Sequence, residues 1–297
     1  MLETKPPRTG RISSHVKAAS EKAEREAAPW IDRMGQAGFA AKGIVYLLIG
    51  LLAVLAACGT GGRFADTRGV LELIEGLPLG EAALTAIAFG LAGYAVWRFA
   101  QAIADPDRKG RSVKGIAARI GYAGSGLFYG GLAFTALRLA WSSQGGGKSK
   151  QGWAAELLRQ PLGEWMLGGI GAGILVFGGY QLVKAASARF ADDWKREEMS
   201  ETGYRWGVRL GRLGESARGV VFGIVGVFLL VTAWTSEPRY TKGIDGALAE
   251  LAAKPYGSWL VGFAGAGLMA YGVLLFVYAR YRRLLRDRGQ EDDRARR

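Results

Sequence analysis

The sequence predicts an all-α membrane protein of six transmembrane helices, arranged as three repeated hairpins that each carry a short amphipathic helix at the outer interface. Three observations support this prediction: long uncharged runs, basic residues concentrated in alternate connecting segments, and a motif that recurs three times. Uncharged runs of about 20 residues match a hydrocarbon core about 30 Å thick, which a helix crosses at about 1.5 Å per residue.

The apolar runs set the boundaries of the spans. Hydrophobic residues make up 49% of the chain, and the charged residues gather between the runs. Lys42 and Arg218 stand at the beginning of two short spans, and each side chain is expected to extend to the lipid headgroups. The predicted spans are Ala41–Cys58, Glu81–Ala104, Ile120–Trp141, Glu164–Ala188, Arg218–Thr235 and Ser258–Ala279.

These spans divide the chain into seven segments. No removable signal peptide is expected, because the leader is charged and lacks an apolar core with a small-residue cleavage site. The segments are a cytoplasmic leader (1–36), repeat 1 (37–104), a cytoplasmic loop (105–118), repeat 2 (119–188), a second cytoplasmic loop (189–211), repeat 3 (212–280) and a basic cytoplasmic tail (281–297).

The distribution of charge indicates the orientation. Of the 39 Lys and Arg residues, 30 lie in the leader, the two loops, the tail and the adjacent helix ends, together with 17 of the 26 acidic residues. That side carries the whole formal net charge of +13. Because an excess of Lys and Arg marks the cytoplasmic face, both termini are expected in the cytoplasm.

The same charges predict the partners. Basic segments that directly flank membrane spans favour contact with anionic headgroups on the cytoplasmic face. No nucleic acid is expected as a partner, since the basic residues do not form one face of a compact domain with base-reading groups. A membrane-protein partner and a homo-oligomer both stay open as alternatives.

A motif of small and aromatic residues recurs three times, which indicates internal duplication. Small residues at helical spacing let helices approach closely, and Pro at a helix start loses no hydrogen bond. The amphipathic segment before each Pro is too short to span and is expected to lie flat in the outer interface. The motif residues are Gly38, Gly43 and Tyr46; Gly121, Gly126 and Tyr129; Gly214, Gly219 and Phe222; and the turn residues Pro78, Gly80, Pro161, Gly163, Pro255 and Gly257.

On these motifs the sequence resembles a bacterial membrane-protein family known as domain of unknown function 1206. That family is built from a repeated pair of transmembrane helices with a similar glycine-aromatic signature and a similar Pro-x-Gly turn. The resemblance covers roughly residues 33–285, and the middle copy departs from its partners by carrying Ser125 where they have Lys42 and Arg218. The resemblance implies this architecture and a location in a bacterial plasma (inner) membrane, and it supplies no catalytic or ligand-binding residues.

The sequence offers little for catalysis or metal binding. Cys58 is the single cysteine, so an intrachain disulfide and a multi-thiolate metal site are excluded. His15 is the single histidine and lies in the leader, so a histidine cluster, a zinc site and a Ser–His–Asp triad are not expected. We therefore expect a non-enzymatic protein without a cofactor, which acts through helix packing, lipid contact or membrane partners. The alternative is a small channel or transporter with a path between the three hairpins, which a polar cavity at the membrane midplane would favour.

Aromatic residues at the predicted span ends suggest how the helices are anchored. Trp30, Trp97 and Trp141 are examples, and tryptophan is enriched where helices meet headgroups. The 189–212 segment adds Trp194 and other aromatic residues among mixed charges. It is expected to form either a cytoplasmic docking surface or an anchor on the membrane surface.

Overall fold

The computed structural model describes residues 9–104, 112–142 and 149–282, and within these ranges the chain is helical and contains no β-strand. Predictions about residues 1–8, most of the 105–118 loop and the tail after residue 282 lie outside the described residues. The α-helices are α1 (Thr9–Ala57), α2 (Thr67–Glu75), α3 (Gly80–Ala104), α4 (Val113–Trp141), α5 (Lys150–Leu158), α6 (Gly163–Ser187), α7 (Glu201–Thr235), α8 (Ile244–Ala252) and α9 (Gly257–Tyr281), with short 3₁₀ helices at Arg189–Ala191, Arg196–Glu198 and Pro238–Tyr240.

Five helices in the described ranges are long and apolar enough to cross a membrane. They are Trp30–Ala57 within α1, Gly80–Ile103, Gly163–Ser187, Glu201–Thr235 and Gly257–Tyr281. The predicted third span corresponds to α4, which has 29 residues but is less apolar, because glycine, serine and tyrosine occupy much of its central part. The composition of the described helices is therefore that of a membrane protein.

Two helices begin earlier than predicted. α7 begins at Glu201 rather than at Arg218, so the second half of the predicted 189–211 loop is helical. The side chain of Ser200 accepts a hydrogen bond from the backbone N–H of Gly203, and this N-cap satisfies a donor at the helix start. α1 is continuous from Thr9 to Ala57 and passes through Pro29 without a break.

The three Pro-x-Gly turns share one geometry. Each joins a nine-residue helix to a 25-residue helix, and its middle residue adopts a left-handed backbone, with φ of 64° at Leu79, 63° at Leu162 and 59° at Tyr256. A methyl group on the next residue would lie 2.0 to 2.2 Å from a carbonyl oxygen of the preceding short helix. Only glycine fits there, at Gly80, Gly163 and Gly257.

The six long helices pack in the order α4–α3–α1–α9–α7–α6, so the first and the last helix of the chain meet at the centre. Two of the predicted hairpins pack as pairs, α1 with α3 and α7 with α9. The helices of the predicted second hairpin, α4 and α6, share no comparable interface in the described part of the chain. Instead α4 packs on α3 and α6 packs on α7.

Glycines at equivalent positions form the interfaces between different repeats. A methyl group at Gly43 would lie 2.9 Å from the ring of Phe276, and one at Gly126 would lie 3.0 Å from the ring of Phe99. At Gly219 it would lie 3.0 Å from the side chain of Leu182. The helix pairs α1–α9, α4–α3 and α7–α6 therefore meet in the same way, through close approach at a small residue.

Candidate functional site

Polar side chains that are buried or half-buried converge between the six long helices, each of which contributes at least one of them. We call this set the cation–aromatic cluster; its members are Lys42, Tyr46, Tyr94, Arg98, Tyr129, Gln181, Arg218 and Tyr271. Lys42 and Arg218 are only 4% and 8% exposed. The prediction that these two residues extend to the headgroups is therefore wrong, because they lie on the helix faces that point into the bundle.

One half of the cluster is organised around the hydroxyl of Tyr94. Lys42 Nζ donates a hydrogen bond to this oxygen at 3.1 Å, and Arg98 Nε donates another at 2.8 Å. The Lys42 ammonium also lies 4.4 Å from the ring centroid of Tyr129, which comes from α4. A cation over an aromatic ring gains roughly 0.5–2 kcal/mol when it is desolvated.

The other half surrounds Arg218. Its Nη1 donates to Gln181 Oε1 at 2.6 Å and its Nε donates to the Tyr46 hydroxyl at 3.2 Å. Aromatic rings enclose the guanidinium, with the centroid of Tyr271 at 4.7 Å. The Nε2 group of Gln181, a residue only 2% exposed, has no hydrogen-bond partner in the described residues.

None of the three cations of the cluster forms an ion pair with an acidic side chain in the described residues, although the charge of Glu215 acts on Arg218. In the described ranges no carboxylate lies within salt-bridge distance of Lys42, Arg98 or Arg218. The neighbouring Lys184 is paired, because its Nζ lies 2.9 Å from Glu215 Oε1. Burying an unpaired cation costs several kcal/mol, and intramembrane cations are a default sign of a functional site.

The depth of the cluster follows from helix geometry. Lys42 lies about 22 Å from the end of α1 at Ala57, and Arg218 lies about 25 Å from the end of α7 at Thr235, at about 1.5 Å per residue. A hydrocarbon core is about 30 Å thick. Measured from these helix ends, which face the predicted outer side, both cations lie more than halfway through a core of that thickness and so nearer its predicted cytoplasmic face.

The predicted motif residues lie in three places: the aromatic residues in or beside the cluster, the prolines at the turns, and most of the motif glycines at helix contacts. Tyr46 and Tyr129 belong to the cluster, and the ring of Phe222 lies 4.7 Å from the Arg218 guanidinium. Pro78, Pro161 and Pro255 precede the three tight turns. The motif glycines lie at helix contacts except Gly121, where an added methyl group would meet nothing within 4 Å.

Sequence reasoning missed the roles of Tyr94, Gln181 and Tyr271. Tyr94 and Tyr271 both stand sixteen residues after the proline of a Pro-x-Gly turn, a recurrence that could have marked them as a pair. Gln181 shows no such recurrence, since Arg98 and Leu275 occupy the corresponding places. Its part in the cluster appears only when α6 and α7 are packed together.

Two of the predicted aromatic assignments are wrong. Trp97 is buried against Phe39 and Tyr94 instead of lying at the membrane surface. Trp194 is also buried and packs against Phe190, so it is not available to a docking surface. Other tryptophans near helix ends are exposed, as the prediction requires: Trp30, Trp141, Trp153, Trp165, Trp234 and Trp259.

Two grooves mark the surface of the described residues. One, of about 390 Å³, is lined by α6, α7 and α8 and includes Leu175, Phe228 and Glu250. The other, of about 820 Å³, lies around Gly80 and Trp141. Cluster residues line neither groove, so neither one is an aqueous path to the buried cations.

Comparison with known proteins places the chain in a family of unknown function. The family model described as "Domain of Unknown Function (DUF1206)" matches residues 37–105, 120–188 and 213–282. A curated relative, "Uncharacterized protein YxxB" of Bacillus subtilis (strain 168), is 37% identical over 263 residues, which cover 89% of this chain and 95% of the relative. No solved structure matches the chain. The resemblance stated from the sequence is confirmed.

Proposed function

Since this chain belongs to the family described as "Domain of Unknown Function (DUF1206)", whose description names no activity, we propose one from the geometry of the cluster. The proposed function is to bind an anionic group among the buried cations, without converting it chemically. The protein is proposed to cross the bacterial plasma membrane six times, with both termini in the cytoplasm.

The single observation that supports anion binding is the unbalanced charge around Arg218. Its guanidinium has an amide and a hydroxyl as partners, neither of which carries a negative charge. The Nε2 group of Gln181 adds a donor without an acceptor in the described residues. A phosphate or carboxylate beside Arg218 would supply both an acceptor and the missing charge, through charge-assisted hydrogen bonds.

The proposal of a non-enzymatic function follows from the groups that the cluster offers. Ammonium, guanidinium, amide and phenol groups hold an anion well. Covalent catalysis needs a nucleophile within reach of a base and an orienting group, and the described residues show no such arrangement. The protein would then act as a binding module of the membrane.

The sixth span in this proposal is α4. Its 29 residues exceed the length that a bilayer requires. It packs on α3 through Gly126 as α1 packs on α9 through Gly43, and it contributes Tyr129 to the buried cluster. These relations support a membrane position for α4 despite its lower apolar content.

Reporter fusions test the topology. Fusions after residues 65, 147 and 240 are expected to report the outer side, and fusions after residues 110, 200 and 290 the cytoplasm. The charge distribution is the physical reason, since Lys and Arg are retained on the cytoplasmic side. One inverted fusion would contradict the six-span proposal.

Ligand-dependent stabilisation tests the anion site. Purified protein in a non-ionic detergent is heated with increasing inorganic phosphate, and wild type is expected to unfold at a higher temperature as phosphate rises. Arg218→Gln should abolish the increase. The matched control is Arg138→Gln, which removes an exposed cation from α4. Equal responses of the two variants would contradict the proposal.

Transport of the bound anion is the second candidate function. The position of Lys42 and Arg218 within long apolar helices supports it, because substrate sites of transporters lie within the membrane. The test is uptake of labelled phosphate into liposomes that contain wild type or Arg218→Gln. Binding of phosphate without uptake would support the function of a binding module alone. Uptake that Arg218→Gln abolishes would favour transport.

A further inference from the structure

The surface between α4 and α6 differs from the equivalent surfaces in the other two repeats. We call it the α4–α6 seam and define it by Gly121 and Gly124 of α4 and Gly173 and Phe177 of α6. The three family matches have nearly equal lengths and place Gly121 in register with Gly38 and Gly214. They likewise place Phe177 in register with Tyr94 and Tyr271.

In the other two repeats these positions are in tight contact. A methyl group at Gly38 would lie 2.3 Å from Tyr94 Cβ, and one at Gly214 would lie 2.5 Å from the backbone nitrogen of Tyr271. At Gly121, Gly124 and Gly173 it would meet nothing within 4 Å. The seam therefore has the small residues that are typical of a close helix contact, but α4 and α6 do not approach each other closely there.

The open seam leads to Arg218. Phe177 is 42% exposed, whereas Tyr94 and Tyr271 are 0% and 4% exposed. The ring centroid of Phe177 lies 5.3 Å from the Arg218 guanidinium, so this ring stands between the lipid-facing surface and the cation. Gln181 lies one helical turn farther along α6, and its Nε2 group has no hydrogen-bond partner in the described residues.

We propose that the seam binds an amphiphile whose anionic head, a phosphate or carboxylate, contacts Arg218 and Gln181, and whose apolar chain lies along the glycines of α4 and α6. This inference rests on the proposed anion site and adds the class of ligand and the route from the bilayer. The head supplies the missing negative charge. The chain fills space that glycines leave open on two apolar helices.

Charge complementarity favours an amphiphile over a second copy of the chain. α4 contains no acidic residue, and the acidic residue of α6 is Glu164, in its first turn at the end of α6 away from Gln181. A second copy that inserted either helix into the seam would leave Arg218 without a negative partner. A lipid headgroup and a free phosphate share the required chemistry, and the experiment separates them.

The test compares two substitutions on α6. Gly173→Leu fills the seam, and Gly179→Leu is its matched control, because an added methyl group meets nothing within 4 Å at either position. The positions equivalent to Gly179 are Val96 and Val273, whose side chains are exposed. Each purified protein is mixed in a non-ionic detergent with dioleoylphosphatidylglycerol, with dioleoylphosphatidylcholine or with inorganic phosphate. Native mass spectrometry measures the lipids, and thermal unfolding measures phosphate.

We expect wild type and Gly179→Leu to bind phosphatidylglycerol, and Gly173→Leu to bind it about tenfold more weakly, a loss of about 1.4 kcal/mol. Phosphatidylcholine is expected to bind more weakly than phosphatidylglycerol to wild type. Inorganic phosphate should stabilise all three proteins, because Gly173→Leu fills the chain site and leaves Arg218 unchanged.

Four results would overturn the inference. Equal binding of phosphatidylglycerol by Gly173→Leu and Gly179→Leu would remove the seam as its site. Binding of phosphate without phosphatidylglycerol would refute the seam and leave the proposed function standing, whereas binding of neither would refute both. A disulfide-linked dimer of Gly173→Cys, prepared with Cys58→Ala, would place a second copy in the seam.

Discussion

Removing Arg218 and Gln181 together should cost less stability than removing them one at a time. Arg218 Nη1 and Gln181 Oε1 lie 2.6 Å apart, inside a cluster that excludes water. Arg218→Met leaves the amide of Gln181 buried without a side-chain partner. Gln181→Leu leaves the guanidinium without its closest acceptor. The double variant leaves neither group.

The magnitude follows from the energetics of buried polar pairs. A hydrogen bond to a charged group contributes about 1.5–3 kcal/mol, and an unsatisfied buried group costs about 1–3 kcal/mol. We therefore expect Arg218→Met to lower the free energy of unfolding by about 3 kcal/mol. The double variant should lie within about 1 kcal/mol of wild type, since apolar replacement of a buried polar pair is often nearly neutral. Gln181→Leu should lower it as well, so the coupling energy is at least about 2 kcal/mol.

The assay is unfolding by dodecyl sulfate titrated into protein in a non-ionic detergent, followed by far-ultraviolet circular dichroism. The control cycle combines Arg218→Met with Thr235→Val, which lies about 25 Å away on the same helix and should be additive within about 0.5 kcal/mol. A coupling energy for Arg218 and Gln181 within that same range would refute the reasoning, because the two side chains would then not act as a pair.

Three further predictions concern the turns and the short helices. Gly257→Ala should destabilise the protein by more than about 2 kcal/mol, since its methyl group would lie 2.0 Å from a carbonyl oxygen. Its control, Gly69→Ala, should stabilise the protein by up to about 1 kcal/mol, because the nearest atoms to the added methyl group are 3.4 Å away. Chemical unfolding measures both variants. Lys150→Met should cost about 1 kcal/mol and reduce the salt sensitivity of unfolding, because Lys150 Nζ pairs with Asp66 at 2.8 Å and with Asp245, joining the connections of all three repeats. Unfolding at low and high salt checks it, and an unchanged salt response would contradict it. Hydrogen bonds from Lys242 and Lys254 hold the pKa of Glu250 at about 2. The contribution of Glu250 is therefore complete above about pH 4.3, its ordinary value, and is lost as the pH falls through about 2. Thermal unfolding of Glu250→Gln should lack this acid dependence, and parallel pH profiles would contradict the assignment.

The Pro-x-Gly turns were predictable because their residues have few conformational choices. Proline restricts its own φ, and the glycine of each turn must pass close to a carbonyl oxygen, so Pro255 and Gly257 define their turn from the sequence alone. The same holds for the beginning of α3, α6 and α9 and for the short helices before them. Local chemistry determined these elements.

The cation–aromatic cluster was not predictable because it depends on which face of each helix points inward. A Lys or Arg near a span end can reach the headgroups or lie in the bundle, and the sequence of one helix does not distinguish the two. Lys42 is buried because Tyr94 of α3 and Tyr129 of α4 meet it there. Those partners lie more than 50 residues away in the chain.

Which long helices pack together could also not be predicted from the sequence. Equal repeats suggested three equal hairpins, and two of them do pack as pairs. The second pair does not, although Gly121 and Gly173 have the same residue type as their packed counterparts. Composition gives the capacity for close contact, whereas the position of each helix in the row decides whether the contact forms.

The central position of α1 and α9 has a consequence for how the protein is assembled during synthesis. A ribosome makes α1 first and α9 last, so the contact of Gly43 with Phe276 and that of Gly50 with Gly265 can form only after nearly the whole chain has emerged. Until α9 is made, the surface of α1 that contains Gly43 and Gly50 has no helix packed on it. Truncation before residue 257 would leave the first-made helix without its last-made neighbour, and such chains should become substrates for membrane quality control rather than partly active fragments.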